Sequence, residues 1–136
     1  MFSHPIRVYW EDTDAGGVVY HAQYLAFLER ARSEWMRALG DGQDALRREH
    51  DLVFVVRAMQ VDFRRPARLD DVLSATVALR ECRRASLLVA QQVRRDGRLL
   101  LDADVRLAAL DAAGFRPRGI PDTLYEELKA LESSAQ

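Results

Sequence analysis

Residues 22–39 restrict the fold of this chain more than any other stretch. Tyr24, Leu25, Phe27, Leu28, Ala31, Trp35, Met36 and Leu39 recur at three- and four-residue steps, the period of an α-helix. Glu29, Arg30, Ser33, Glu34 and Arg37 take much of the remaining surface. Gly40 follows as a stop, because glycine tolerates the left-handed backbone after a helix end. Eight apolar residues in about five turns make a stripe too wide for a helix lying alone on a sheet. Such a helix needs structure wrapped around it.

The remaining chain reads mostly as strands. Residues 6–11 alternate, with Ile6, Val8 and Trp10 on one face and Arg7, Tyr9 and Glu11 on the other, which predicts a strand. Residues 41–50 are polar and compatible with a helix. Val53, Val55, Met59, Val61 and Phe63 share one parity, interrupted by Arg57. Leu73, Ala75, Val77 and Leu79 form the next set, then Leu87, Val89 and Val93. Asp96-Gly97 is a two-residue hairpin signal, because both positions accept positive φ. Leu99, Leu101, Ala103, Val105, Leu107 and Ala109 alternate beyond it. Pro121 and Asp122 open a last helix with Leu124, Leu128 and Leu131 expected inward, and Ser133 to Gln136 are expected to fray. Short turns join the long strands, so neighbours are antiparallel. The expectation is an α+β domain spanning 1–136, a long antiparallel sheet curled around one helix, with a sheet edge that invites self-association.

Composition narrows the function classes. Apolar residues make up 49% of the 136, enough for a core. The 20 basic and 21 acidic residues give a net charge of −1, so non-specific nucleic-acid binding is not expected. No apolar run approaches the roughly 18 residues of a membrane span. No signal peptide is visible at Met1-Phe2-Ser3-His4-Pro5, and the single Cys82 cannot form an internal disulfide. A cytoplasmic location is the default expectation.

The chemistry concentrates in Glu11-Asp12-Thr13-Asp14-Ala15-Gly16-Gly17-Val18-Val19-Tyr20-His21, where a strand turns into the long helix. A helix N-terminus offers free N–H groups and the positive end of the dipole. A carboxylate beside such donors suits attack on a carbonyl; equally, Asp14 is an ordinary turn or cap residue. Gly16 and Gly17 allow a close backbone approach or simply a tight turn. His21 is a second catalytic candidate, which orients Asp14, touches the substrate or passes a proton to a leaving group; equally, it is a helix-start residue held by local hydrogen bonds. Tyr9, on the polar face of the first strand, lines the site or packs. A calcium loop is discounted: counted from Asp12, position six is Gly17, but position five is Gly16 and position twelve is Gln23. His4, His21, His50 and Cys82 form no zinc pattern, and no Gly-x-Ser-x-Gly elbow occurs. No metal or cofactor is expected.

The run Tyr9 to Tyr24 resembles the opening of the 4-hydroxybenzoyl-CoA thioesterase family of hotdog-fold proteins, and within it the Tol-Pal-associated acyl-CoA thioesterase subgroup. Leu25 to Trp35, Val61-Asp62-Phe63-Arg64-Arg65-Pro66-Ala67 and Asp70-Asp71-Val72-Leu73 continue the likeness, which spans about residues 5–110. Gln23 stands where the family pattern has asparagine. The resemblance implies a hotdog fold, a five-stranded antiparallel sheet around a long central helix, forming dimers or tetramers with active sites at the dimer interface. It implies hydrolysis of acyl-CoA, with Asp14 as nucleophile or general base and the oxyanion bound by backbone N–H at or next to His21. Tyr9, Gly16, Gly17 and Val18 would line the substrate. CoA carries phosphates, so Arg64 and the turn Arg83-Arg84-Ala85-Ser86 are candidate anchors. Rival readings are a hydrolase of acyl carrier protein thioesters and a non-catalytic partner-binding protein of the Tol-Pal envelope system. A dehydratase would need a histidine followed by a proline-rich segment, which Ala22-Gln23-Tyr24 is not.

Overall fold

The buried face of the long helix organises everything around it. A computed structural model describes residues 1–40 and 42–132; the expectation for Ser133 to Gln136 lies outside the described residues. Helix α1 spans Gln23–Ala38 and buries Tyr24, Phe27, Leu28, Ala31, Trp35 and Met36. These follow the i, i+3, i+4, i+7 spacing that points one side of a helix at a core. Leu25 lies off that side and is exposed. Gly40, at φ +96°, ends the helix.

Five strands form one antiparallel sheet: β1 (Phe2–Arg7), β2 (Leu52–Phe63), β3 (Val72–Cys82), β4 (Ser86–Arg95) and β5 (Arg98–Asp111), in the order β1-β3-β4-β5-β2. Helix α2 (Gln43–His50) leads into β2, and α3 (Asp122–Leu131) packs on β3. The alternation read in β3, β4 and β5 holds except at Leu99: Leu73, Ala75, Val77, Leu79, Leu87, Val89, Val93, Leu101, Ala103, Val105, Leu107 and Ala109 are all buried on the face toward α1, but the β4–β5 register slips at Leu100, which is buried while Leu99 is only partly so. Asp96 and Gly97, at φ +51° and +77°, make the expected two-residue hairpin.

Three further details differ from expectation. The first strand is Phe2–Arg7, not residues 6–11: the Asp12 carboxylate accepts the Tyr9 N–H at 2.8 Å and closes a 3₁₀ turn over Trp10–Asp12, leaving Trp10 79% exposed. In β2 the parity does not run through. The register against β5 slips between Val56 and Ala58, so Arg57 is the extra residue of a bulge. Phe54 and Val56 pair with the buried Ala109 and Leu107, whereas Val53 and Val55 pair on the opposite face; Met59, Val61 and Phe63 then return to the inner face. Leu131, at the end of α3, is 45% exposed, while Leu124 and Leu128 are buried.

One polar network sits inside the core. Gln91 is fully buried on the inner face of β4 and donates to the carbonyls of Leu28 (3.0 Å) and Thr76 (3.3 Å). Its Oε1 accepts from the Arg32 guanidinium at 3.0 Å. Burial lowers the pKa of Arg32, an effect that Glu29 partly offsets. The network ties the middle of α1 to two central strands. Gln91→Leu should therefore destabilise the protein by about 3 kcal/mol, because it strands a buried charge. Adding Arg32→Met should restore most of that loss, as read by urea unfolding.

Candidate active site

The chain between the 3₁₀ turn and α1 folds into a small hairpin. Thr13 and Val19 bridge its base; the Asp14 N–H donates to the Val18 carbonyl (2.9 Å), and the Gly17 N–H to the Asp14 carbonyl (3.0 Å). Gly17 stands at φ +80°, where a side chain would be strained. The Gly16 N–H donates to Asp14 Oδ1 at 2.8 Å, and a Cβ at Gly16 would come within 3.1 Å of that oxygen. The turn thus holds one Asp14 carboxylate oxygen by a backbone donor, and the side chain faces solvent.

The hairpin is stitched to the segment that joins β2 to β3. Val18 bridges Arg68, and the Val19 N–H donates to the Ala67 carbonyl at 2.9 Å. The Ala67 N–H in turn donates to the hydroxyl of Tyr24, in the first turn of α1, at 2.9 Å. Burial raises the pKa of Tyr24, and the Ala67 bond opposes that rise.

Like α2 and α3, helix α1 starts without a side-chain cap. Ala22 occupies the N-cap position without a side-chain acceptor, and the first turn carries no acidic residue. The Gln23 N–H is taken by the Tyr20 carbonyl (2.8 Å). Among the described residues, no backbone acceptor meets the N–H of His21 or Ala22, and both residues are exposed. The donors and the positive end of the helix are therefore open to a ligand. The His21 ring lies 4.6 Å from that of Tyr20 and edge-on to Phe63 at 6.4 Å.

Asp12 plays a different part from Asp14. It is 4% exposed, and its carboxylate is filled by the Tyr9 N–H and Gln23 Nε2, each at 2.8 Å. Gln23 did not stand out in the sequence as a site residue; its only signal there was its departure from the family's asparagine. Tyr9 lines a shallow cleft with Arg7, Glu11 and Arg30.

The arginines separate into two places. Arg64 follows Phe63 at the end of β2 and leans on Asp62 at 3.3 Å. Arg83 and Arg84 occupy the β3–β4 turn, which abuts the beginning of β2 through Ser86, Ala108 and Val55. Val55 and Phe63 are eight residues apart, roughly 25 Å along a strand. One protomer therefore does not bring Arg83 and Arg84 to Asp14. Both guanidiniums are engaged: Arg83 pairs with Glu81, and Arg84 pairs with Asp122 and lies 4.4 Å from the centre of the Tyr125 ring. Together with Arg57 they rim a cleft of about 650 Å³ floored by Val55 and Ala108.

An antiparallel sheet around a buried helix, with a glycine-turned aspartate beside an uncapped helix start, defines a hotdog-fold protein of the thioesterase class. A family model of the thioesterase-like superfamily matches residues 8–128, and the chain belongs to that family. Acyl-CoA thioesterase YbgC of Haemophilus influenzae is 43% identical over 129 residues, which cover 95% of this chain and 92% of that protein. Acyl-CoA thioester hydrolase YbgC of Escherichia coli is 45% identical over 130 residues, covering 95% of this chain and 96% of that protein. The crystal structure of a probable thioesterase from Bartonella henselae superposes with a TM-score of 0.84 at 36% identity, covering 88% of this chain and 98% of that one.

The Tyr24 hydroxyl supports both the helix start and the 67–71 segment, so its loss should be visible in stability. Tyr24→Phe should cost about 1–2 kcal/mol at neutral pH. In the parent protein the folded pKa lies above the unfolded one, so this contribution is complete below about pH 10 and declines as pH rises through the folded value. Urea unfolding between neutral and alkaline pH should show a flatter alkaline limb in the variant.

Proposed function

We infer that this protein hydrolyses acyl-CoA thioesters to the free acid and CoA. The observation that carries the inference is that the turn bearing the exposed Asp14 carboxylate is joined, through the Thr13–Val19 bridge and the Tyr20–Asp12 backbone bond, to a helix start whose His21 and Ala22 N–H groups meet no backbone acceptor among the described residues. Attack on a thioester carbonyl places negative charge on its oxygen, and donors fixed before the reaction stabilise that charge. The relatives named above support the same chemistry.

Asp14 acts at the carbonyl carbon in one of two ways. As nucleophile, its carboxylate adds to the carbon, the C–S bond breaks, CoA leaves as thiolate, and water then cleaves the mixed anhydride, releasing the acid and regenerating Asp14. As general base, it takes a proton from the water that attacks. In both, the His21 and Ala22 N–H groups hold the oxyanion. The helix dipole assists them. The His21 side chain, next to Phe63, sits beside this point as an orienting group. Gly16, Gly17, Val18 and Tyr9 are assigned to the substrate-facing surface.

The site is best completed by a second copy. The sheet has two edges, β1 and β2. β1 is six residues long and contains Pro5, which lacks a donor; β2 is twelve residues long without proline and exposes Val56 and Phe63. Two β2 strands paired antiparallel about a two-fold axis set the end of one beside the start of the other. Arg83 and Arg84 of the partner subunit then approach Asp14 and Arg64, supplying cations for the CoA phosphates in exchange for their present carboxylate partners. The reading is of a cytoplasmic homo-oligomer, a dimer or tetramer, with residues 1–136 as one catalytic domain.

Thiol release from short, long and aromatic acyl-CoAs tests the activity. Asp14→Asn and Asp14→Ala should each reduce kcat by about 10²–10⁴-fold while leaving the circular dichroism unchanged; undiminished turnover in both would remove Asp14 from the mechanism. Light scattering should give a dimer or larger, and Val56→Lys on the β2 edge should dissociate it and abolish turnover. A fully active monomer would overturn the shared site.

A further inference from the structure

We propose that Asp12 and Gln23 are positioning residues that set the distance between the reactive carboxylate and the oxyanion donors. This rests on the hydrolytic reading given above. Asp12 is contacted by three separate segments. Its Oδ2 accepts from the N–H of Tyr9, ahead of the 3₁₀ turn, at 2.8 Å. Its carbonyl accepts from the N–H of Tyr20, at the exit of the hairpin, at 2.9 Å. Its Oδ1 accepts from Nε2 of Gln23, the first residue of α1, at 2.8 Å. Asp14 lies two residues beyond this node, and His21 and Ala22 immediately precede Gln23, so movement at the node reaches both halves of the site.

The chemistry of the node argues for a role beyond shaping a turn. A turn is made as well by an exposed aspartate or serine. Here the carboxylate is 4% exposed and is met by neutral donors rather than by a cation, an arrangement that carries a desolvation cost. What it gains is a helix end fixed from behind. An aspartate at position 22 would also fix the end, but its charge would sit against the His21 and Ala22 N–H groups and repel an oxyanion there. The Gln23 side chain reaches backward to Asp12 and leaves those donors open.

The test is kinetic, on the full-length protein with an acyl-CoA that the parent hydrolyses. Gln23→Leu removes the bond, and Gln23→Glu sets a carboxylate against a carboxylate. Each should lower kcat about 10- to 100-fold, with KM within about twofold, as expected when reacting groups shift by a fraction of an ångström to an ångström. Asp12→Asn should retain kcat within about threefold: the amide oxygen of the substituted side chain keeps the Tyr9 N–H, and the Gln23 amide flips to accept from the new NH₂. Asp12→Asn added to Gln23→Glu should recover about tenfold over Gln23→Glu alone, since the amide introduced at position 12 then donates to the carboxylate introduced at position 23. Unchanged kcat in both Gln23 variants overturns the proposal, as does a double variant no better than Gln23→Glu. So does a kcat loss that merely tracks the unfolded fraction at the assay temperature. A parent protein that hydrolyses no thioester overturns the functional reading instead, which keeps the two failures apart.

Discussion

The packing of α1 against the sheet is the constraint from which the rest follows. Its wide apolar side leaves one way to lie: Phe27, Leu28 and Ala31 are fully buried, and Gln91 reaches from β4 to the Leu28 carbonyl and to Arg32. Dispersion and the hydrophobic effect are not directional, so apolar contact alone would permit a helix to slide by a residue or rotate slightly. The Gln91 bonds are directional and remove that freedom. Where the middle of the helix is fixed, its N-terminus is fixed too, because the helix between them is stiff.

The N-terminal block then has to meet that helix end from outside the core. It does so through polar contacts with neighbours on both sides: the hairpin base at Thr13 and Val19, the bridges to Ala67 and Arg68, the Tyr24 hydroxyl, and the Asp12 carboxylate. The division of labour between two carboxylates two residues apart is set by environment. Asp12 points inward and has both oxygens occupied; Asp14 points outward with one oxygen held by Gly16. Structure and reactivity are thus assigned to separate side chains that are near neighbours in the chain.

Much of this was legible in the sequence because the information is local. The hairpin needs glycine at a positive φ, and Gly17 is there; β3, β4 and β5 are buried on one face, and their period-two patterns say so. The candidate carboxylate, the turn and the helix start lie in one contiguous block, so the site's chemistry could be read from neighbours. What was not legible depends on single events or on distance. The bulge at Arg57 inserts one residue, and a parity count carried across it puts Val53 and Val55 on the wrong face. The first strand ends early because of a side-chain bond from Asp12 to the backbone at Tyr9, which leaves no mark on periodicity. The Asp12–Gln23 bond spans eleven residues between two polar side chains, neither of which is distinguished by type. The engagement of Arg84 by Asp122 and Tyr125 joins parts of the chain that only the fold brings together.

The hairpin around Asp14 is sewn down at Thr13, Val18 and Val19. A loop held on every side has no hinge, and a reactive group on it cannot follow an incoming molecule. Tolerance for different acyl groups must then reside elsewhere, in walls that can yield. The bulge at Arg57, which interrupts the ladder of β2, offers one such place. Variation in substrate range within this family should accordingly collect along β2, and the carbonyl-facing corner should stay the same in shape.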